Sequence, residues 1–90
     1  MKKIALITGA TAGIGEAIAK RMAKEGCRII ITGRRQDRLN RLKSEIEALY
    51  QAEVYTLKFD IRNYSEVEQS LTSLPETWKN IDILINNAGL

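Results

Sequence analysis

Three glycines, Gly9, Gly13 and Gly15, stand within "LITGATAGIGEAIAK", residues 6–20, between a short apolar run and a segment of helical spacing. Glycine reaches positive φ without strain and carries no side chain, so main chain there can approach a ligand closely. A helix that begins at such a turn offers its free N–H groups and the positive end of its dipole to an anion. The chemistry this suits is the holding of a pyrophosphate. The spacing is G-x-x-x-G-x-G rather than the commoner G-x-G-x-x-G, and Glu16 follows Gly15 where a triphosphate-binding loop would carry Lys and Ser or Thr. Taken alone, three glycines in a tight turn are also ordinary folding chemistry.

Three further groups could read the rest of a nucleotide. Gly33, Arg34 and Arg35 follow the apolar run "RIIIT", at the place where an acidic residue would bond a ribose 2′-hydroxyl and an arginine would suit a 2′-phosphate. No carboxylate is there. The planar guanidinium fork pairs with phosphate oxygens and stays charged, so the pattern points to NADP rather than NAD. Arg38 and Arg41, further along, read as the solvated side of a helix. Asp60, with Ile61 and Arg62, closes "EVYTLKF", where a plain turn or cap is the other use for an aspartate. The last group is "NNAG", Asn86 to Gly89, after the apolar "DILI". A turn after a strand explains Gly89 but not Asn86, Asn87 and Ala88.

These groups need elements to carry them. "KIALIT" and "RIIIT" are continuous apolar runs, as expected of strands buried on both faces, and "DILIN" reads as a fourth strand, apolar on both sides, with an apolar edge left unpaired within residues 1–90. "EVYTLKF" alternates, with Tyr55, Leu57 and Phe59 on one side, and Lys58 marks it as an edge strand. From Ile14 the spacing turns helical, with Ile14, Ala17, Ile18 and Met22 on the packed side and Gly26 as the stop. A second helix spans about Gln36 to Tyr50, its stripe made by Leu39, Leu42, Ile46 and Leu49. Ser65 and Glu68 resemble a capping box opening a third helix to about Leu74, ended by Pro75. Strands alternating with helices indicate an α/β, doubly wound parallel sheet of Rossmann type, about four strands and three helices in one unit.

With that order in place, "TGATAGIG", "DIR" and "NNAG" together resemble the cofactor motifs of the short-chain dehydrogenases/reductases. The resemblance runs through all ninety residues. With "TGRRQDRL" and "LPETWKNIDILINNAGL" it narrows to the NADP-dependent serine and 3-hydroxy acid dehydrogenases of that family, among whose relatives are L-allo-threonine dehydrogenases. It implies cofactor contacts at Gly9, Ala10, Thr11, Ala12, Gly13, Ile14 and Gly15, with Arg34 and Arg35 at the 2′-phosphate. It places Asp60 and Ile61 near the adenine, and Asn87, Ala88 and Gly89, after Asn86, against the cofactor ribose. It also implies a small-molecule hydroxy acid or carbonyl substrate and a tetrameric parent.

The family's hydride transfer needs a serine and a Tyr-x-x-x-Lys pair. Tyr50, Tyr55 and Tyr64 are followed four residues on by Val54, Phe59 and Glu68, so no catalytic residue is expected among residues 1–90. The expectation is therefore the N-terminal part of one NAD(P)-binding domain, inactive alone, belonging to a larger reductase. A dinucleotide-binding module without catalysis is the alternative. An S-adenosylmethionine methyltransferase would want an acid after the second strand, against Arg34 and Arg35.

Composition narrows the rest. The chain is 44% hydrophobic and 28% charged with a net charge of +3, ordinary for a globular domain, and its basic residues are dispersed, which speaks against a nucleic-acid partner. The single cysteine, Cys27, has no internal disulfide partner and reads as a small core residue; with no histidine present, no Cys/His metal cluster is available. "IALI" is too short for a signal-peptide core, and no run approaches a membrane span, so a soluble, cytoplasmic protein is expected. Trp78, between helix and strand, reads as packing.

Overall fold

A computed structural model describes residues 2–11 and 13–87. Along the chain come β1 (Ile4–Thr8), α1 (Gly13–Lys24), β2 (Arg28–Gly33), α2 (Gln36–Tyr50), β3 (Val54–Lys58), α3 (Tyr64–Thr72), a 3₁₀ turn at Glu76–Trp78, and β4 (Ile83–Asn86). The four strands form one parallel sheet in the order β3-β2-β1-β4. Crossing from β3 on one flank to β4 on the other puts the reversal of strand order beside β1. In sheets of this kind the ligand crevice opens at that point, beyond the carboxyl ends of the strands.

The continuous apolar runs of β1 and β2 follow from their central place. Every residue of β1 is buried, and Ile29, Ile30 and Ile31 of β2 are fully so. Alternation then divides them between two cores. Ala5, Ile7, Ile29 and Ile31 meet Ala19 and Ala23 of α1 and Leu39, Leu42 and Ile46 of α2. Ile4, Leu6 and Ile30 face the other way, toward Leu57, Phe59, Leu74 and Trp78. Asp82, just before β4, ties that strand to the start of β1: its Oδ2 accepts from Ile4 N at 2.9 Å and its N–H donates to Ile4 O at 2.9 Å.

Three local expectations are corrected. The inner face of α1 is Gly15, Ala19 and Ala23, with Ile18 and Met22 half-buried, whereas Ile14 is 69% exposed and Ala17 is exposed as well. Tight approach of helix to sheet selects small residues at a spacing of four, which a search for large apolar side chains overlooks. On α2, Leu49 lies outside, 63% exposed. The cap of α3 is Asn63, whose Oδ1 accepts from Glu66 N at 3.2 Å, rather than Ser65, and the helix ends at Thr72 instead of Leu74. β4 is apolar on both sides and flanks the sheet, as its sequence reads: Ile83 and Ile85 are half-buried against the core of the first face, and Leu84 on the other is 67% exposed.

Trp78 is packing, as its position suggested. It is buried, with the Arg28 guanidinium 4.0 Å from its ring centroid and the Tyr55 ring 5.6 Å away. Arg28 is held there by Glu53 at 2.6 Å and by Thr77 O at 2.6 Å.

Candidate functional site

The glycine turn leaves β1 through Gly9 at φ +61° and enters α1 through Gly13 at φ +55°, both in the left-handed region. Gly15 has a different reason to be glycine. A Cβ there would lie 2.1 Å from Gly9 O and 2.7 Å from Asn87 Nδ2, so the first turn of α1 can lie under the loop only without a side chain. Ala10 is fully buried and donates its N–H to Thr32 O at 3.1 Å, bracing the turn against β2. Thr11 lies over Gly33, its Cγ2 3.0 Å from where a Cβ would stand. Ala12 lies outside the described residues.

The end of β4 is tied to the same turn. Asn87 Nδ2 donates to Gly9 O at 3.2 Å, and Asn87 N donates to the Thr8 hydroxyl at 2.9 Å, whose oxygen is 3.1 Å from Asn86 Oδ1. Asn87 is thus a brace that fixes the loop from the neighbouring strand. Ala88 and Gly89 lie outside the described residues.

Between the ends of β1, β2 and β3 lies a cleft of about 390 Å³, bordered by Gly9, Gly33, Arg34, Asp60, Ile61 and Arg62. Phe59 N donates to Gly33 O at 2.9 Å, which keeps the β3 end level with the β2 end. Among the described residues Arg34 and Arg35 make no hydrogen bond or ion pair through their side chains; with Thr11 and Arg38 they enclose a second hollow of about 360 Å³. Helix α1 contributes its N-terminus nearby, and the acid in its first turn, Glu16, is neutralised by Lys20 at 3.1 Å, which also pairs with Glu45 at 3.1 Å.

Asp60 is gripped by one residue. Its Oδ1 accepts from Arg62 N at 3.0 Å and Arg62 Nε at 3.1 Å, and its Oδ2 accepts from Arg62 Nη2 at 2.9 Å. The Arg62 side-chain fork is the main cause, followed by the Arg62 N–H, that holds the carboxyl down at about 2; the charge of Arg34 acts in the same sense.

The structure brings Gly9, Thr11, Gly33, Arg34, Asp60 and Ile61 to one cleft, sets Gly13, Ile14 and Gly15 on the adjoining first turn of α1, and places Arg35 just outside. Three contributors escaped the sequence reading. Thr8, through its hydroxyl, and Thr32, through its main-chain oxygen, accept the hydrogen bonds that set the loop, and Arg62 occupies the cleft wall. Arg62 had a signal, the i, i+2 spacing from an aspartate in a turn. The threonines had none.

Comparison with known proteins gives this geometry a family. The chain is 51% identical over 87 residues, 97% of its length, to "NADP-dependent 3-hydroxy acid dehydrogenase YdfG" of Escherichia coli K12, of which it covers 34%. The structure of serine dehydrogenase from Escherichia coli superposes with a TM-score of 0.88 at 50% identity, covering 97% of this chain and 38% of that one. L-sorbose reductase from Gluconobacter frateurii, solved with NADPH and L-sorbose, superposes with a TM-score of 0.91 at 35% identity, covering 99% and 34%. The chain spans about a third of the length of the curated relatives it matches. Residues 3–90 match the profile described as short chain dehydrogenase, and the chain accordingly belongs to that family of oxidoreductases.

Proposed function

We propose that these residues form the NADP-recognising part of an oxidoreductase acting on a 3-hydroxy acid, of serine or allo-threonine type, or on a related carbonyl compound. The observation that carries the cofactor assignment is the pair Arg34 and Arg35, their side chains free of hydrogen bonds and ion pairs among the described residues, where the end of β2 itself carries no carboxylate and the one acid of the cleft, Asp60, is bonded to Arg62. Both guanidinium groups are exposed and free to meet an anion, and their planar fork matches phosphate oxygens. The donor set therefore fits a 2′-phosphorylated dinucleotide.

Gly9, Thr11, Ala12, Gly13, Ile14 and Gly15 would lie along the pyrophosphate side, and Asp60 and Ile61 along the adenine. Ala10 would act from beneath as a brace, with Asn87, Ala88 and Gly89 on the ribose side. The bound nicotinamide supplies a hydride acceptor or donor. The chain's own contribution is to hold and orient: α1 aims its N–H groups at the anion, Gly9 and Gly33 allow close approach, and Arg34 and Arg35 discriminate at the 2′-position. The substrate class rests on the 3-hydroxy acid and serine dehydrogenases among the relatives. Proton transfer needs the Tyr-x-x-x-Lys pair that residues 1–90 lack, so hydride transfer by this polypeptide alone is not expected.

Calorimetric titration with NADP(H) and NAD(H) tests the reading. NADP(H) should bind more tightly, and Arg34→Ala with Arg35→Ala should lower its affinity by about tenfold or more while leaving NAD(H) unchanged, as loss of a charge-assisted contact implies. Equal affinity for the two cofactors would refute it.

A further inference from the structure

Arg62 faces the cleft from β3 as Arg34 does from β2, yet the two are held differently. Arg34 has no ion pair among the described residues. Arg62 is fixed: two of its guanidinium nitrogens bond the two oxygens of Asp60, while its own N–H closes a turn on the same carboxylate. The turn itself is locked by Asn63 N donating to Asp60 O at 2.9 Å. Even so, the Arg62 side chain is 75% exposed, so this fork is not a way of burying a charge.

An exposed ion pair contributes little to stability, and a flexible arginine would ordinarily leave it. What the bonds to Asp60 achieve is orientation. They engage the guanidinium along its edge, and a planar group held by its edge leaves its faces unbonded at the cleft wall. Such planes stack on nucleobases. Asp60, for its part, is largely committed: Oδ1 already takes two hydrogen bonds and Oδ2 one, so a single lone pair remains for a ligand.

Building on the NADP reading, we propose that Arg62 is a specificity-determining residue whose guanidinium face packs against the adenine base, and that Asp60 acts chiefly as the positioning residue that holds it flat. Arg34 then reads the 2′-phosphate and Arg62 the base, a division of labour between two arginines bordering one cleft.

The test uses NADP⁺ and NAD⁺ as probes, with the variants Arg62→Ala, Asp60→Asn, their double variant and Arg34→Ala. Because the base is common to both ligands, Arg62→Ala should weaken both by the same factor, about fivefold to tenfold. Arg34→Ala should weaken NADP⁺ alone. Asp60→Asn should reproduce most of the Arg62→Ala loss, and the double variant should lose no more than Arg62→Ala does, since residues acting as one unit are not additive. Far-UV circular dichroism checks that each variant keeps its fold. Unchanged affinity in Arg62→Ala, or a loss confined to NADP⁺, overturns the assignment of Arg62 to the base. A double variant whose loss is the product of the single losses overturns the coupling to Asp60. A wild-type chain that prefers neither ligand over the other, or binds neither, defeats the NADP reading itself.

Discussion

The positions of Gly13 and Gly15, two residues apart on the first turn of α1, require glycine for opposite reasons, and that difference can be measured. At Gly13 a Cβ would meet nothing within 4 Å, but φ is +55°, so Gly13→Ala suffers only the cost of a left-handed alanine, about 1 kcal/mol. At Gly15 the obstacle is main chain, with Gly9 O 2.1 Å from an added Cβ. A carbonyl held by Asn87 cannot swing aside like the end of a long side chain, so Gly15→Ala must push α1 away from the loop. Urea unfolding should show a loss of about 3 kcal/mol for Gly15→Ala, clearly more than for Gly13→Ala. Equal losses would mean that the contact between helix and loop is softer than its geometry indicates. The glycine spacing was visible in the sequence as a motif, yet which glycine was conformational and which was steric depended on Asn87, 72 positions further along the chain from Gly15.

At the scale of elements, the buried strands were the most readable part. "IALIT" and "RIIIT" have no polar face to misplace, and their continuous runs could only lie in the middle of a sheet. Helix faces were less legible. The rule that large apolar residues point inward holds for α2 at Leu39, Leu42 and Ile46, but α1 packs through glycine and alanine and leaves Ile14 outside. Helix ends were least legible, because Asn63 and Ser65 are both good capping residues and only the main-chain course of the preceding turn decides between them. That turn, closed by Asp60 O and Asn63 N, delivers Asn63 in extended conformation at φ −100° with its side chain on Glu66 N. Asn63→Ala should therefore cost about 1 kcal/mol in thermal or chemical unfolding, and Ser65→Ala, inside the first turn, only a few tenths. The reverse ranking would restore the capping-box reading.

Across the whole molecule the two sides of the sheet are unequally covered. α1 and α2 close the first face around fully buried isoleucines, whereas the second has α3, which buries none of its residues, and the short turn at Trp78. A hollow of about 400 Å³, largely apolar and bordered by Leu6, Phe59, Val67, Leu71, Ile81 and Leu84, remains between α3 and β4. β4 is also a flanking strand with no partner on its outer side among the described residues, and Leu84 is 67% exposed beside it. An apolar face next to open ladder groups is a template for pairing with another chain. The polypeptide of residues 1–90 should thus self-associate at micromolar concentration, and sedimentation velocity should show species heavier than a monomer. Leu84→Glu places a charge on the exposed face and not on the side where Ile83 and Ile85 pack against the core, so it should shift the distribution toward monomer while leaving the melting temperature within a few degrees. A wild-type chain that sediments as a clean monomer would mean that the open flank is already blunted, and the shortness of β4, four residues, would be the physical reason.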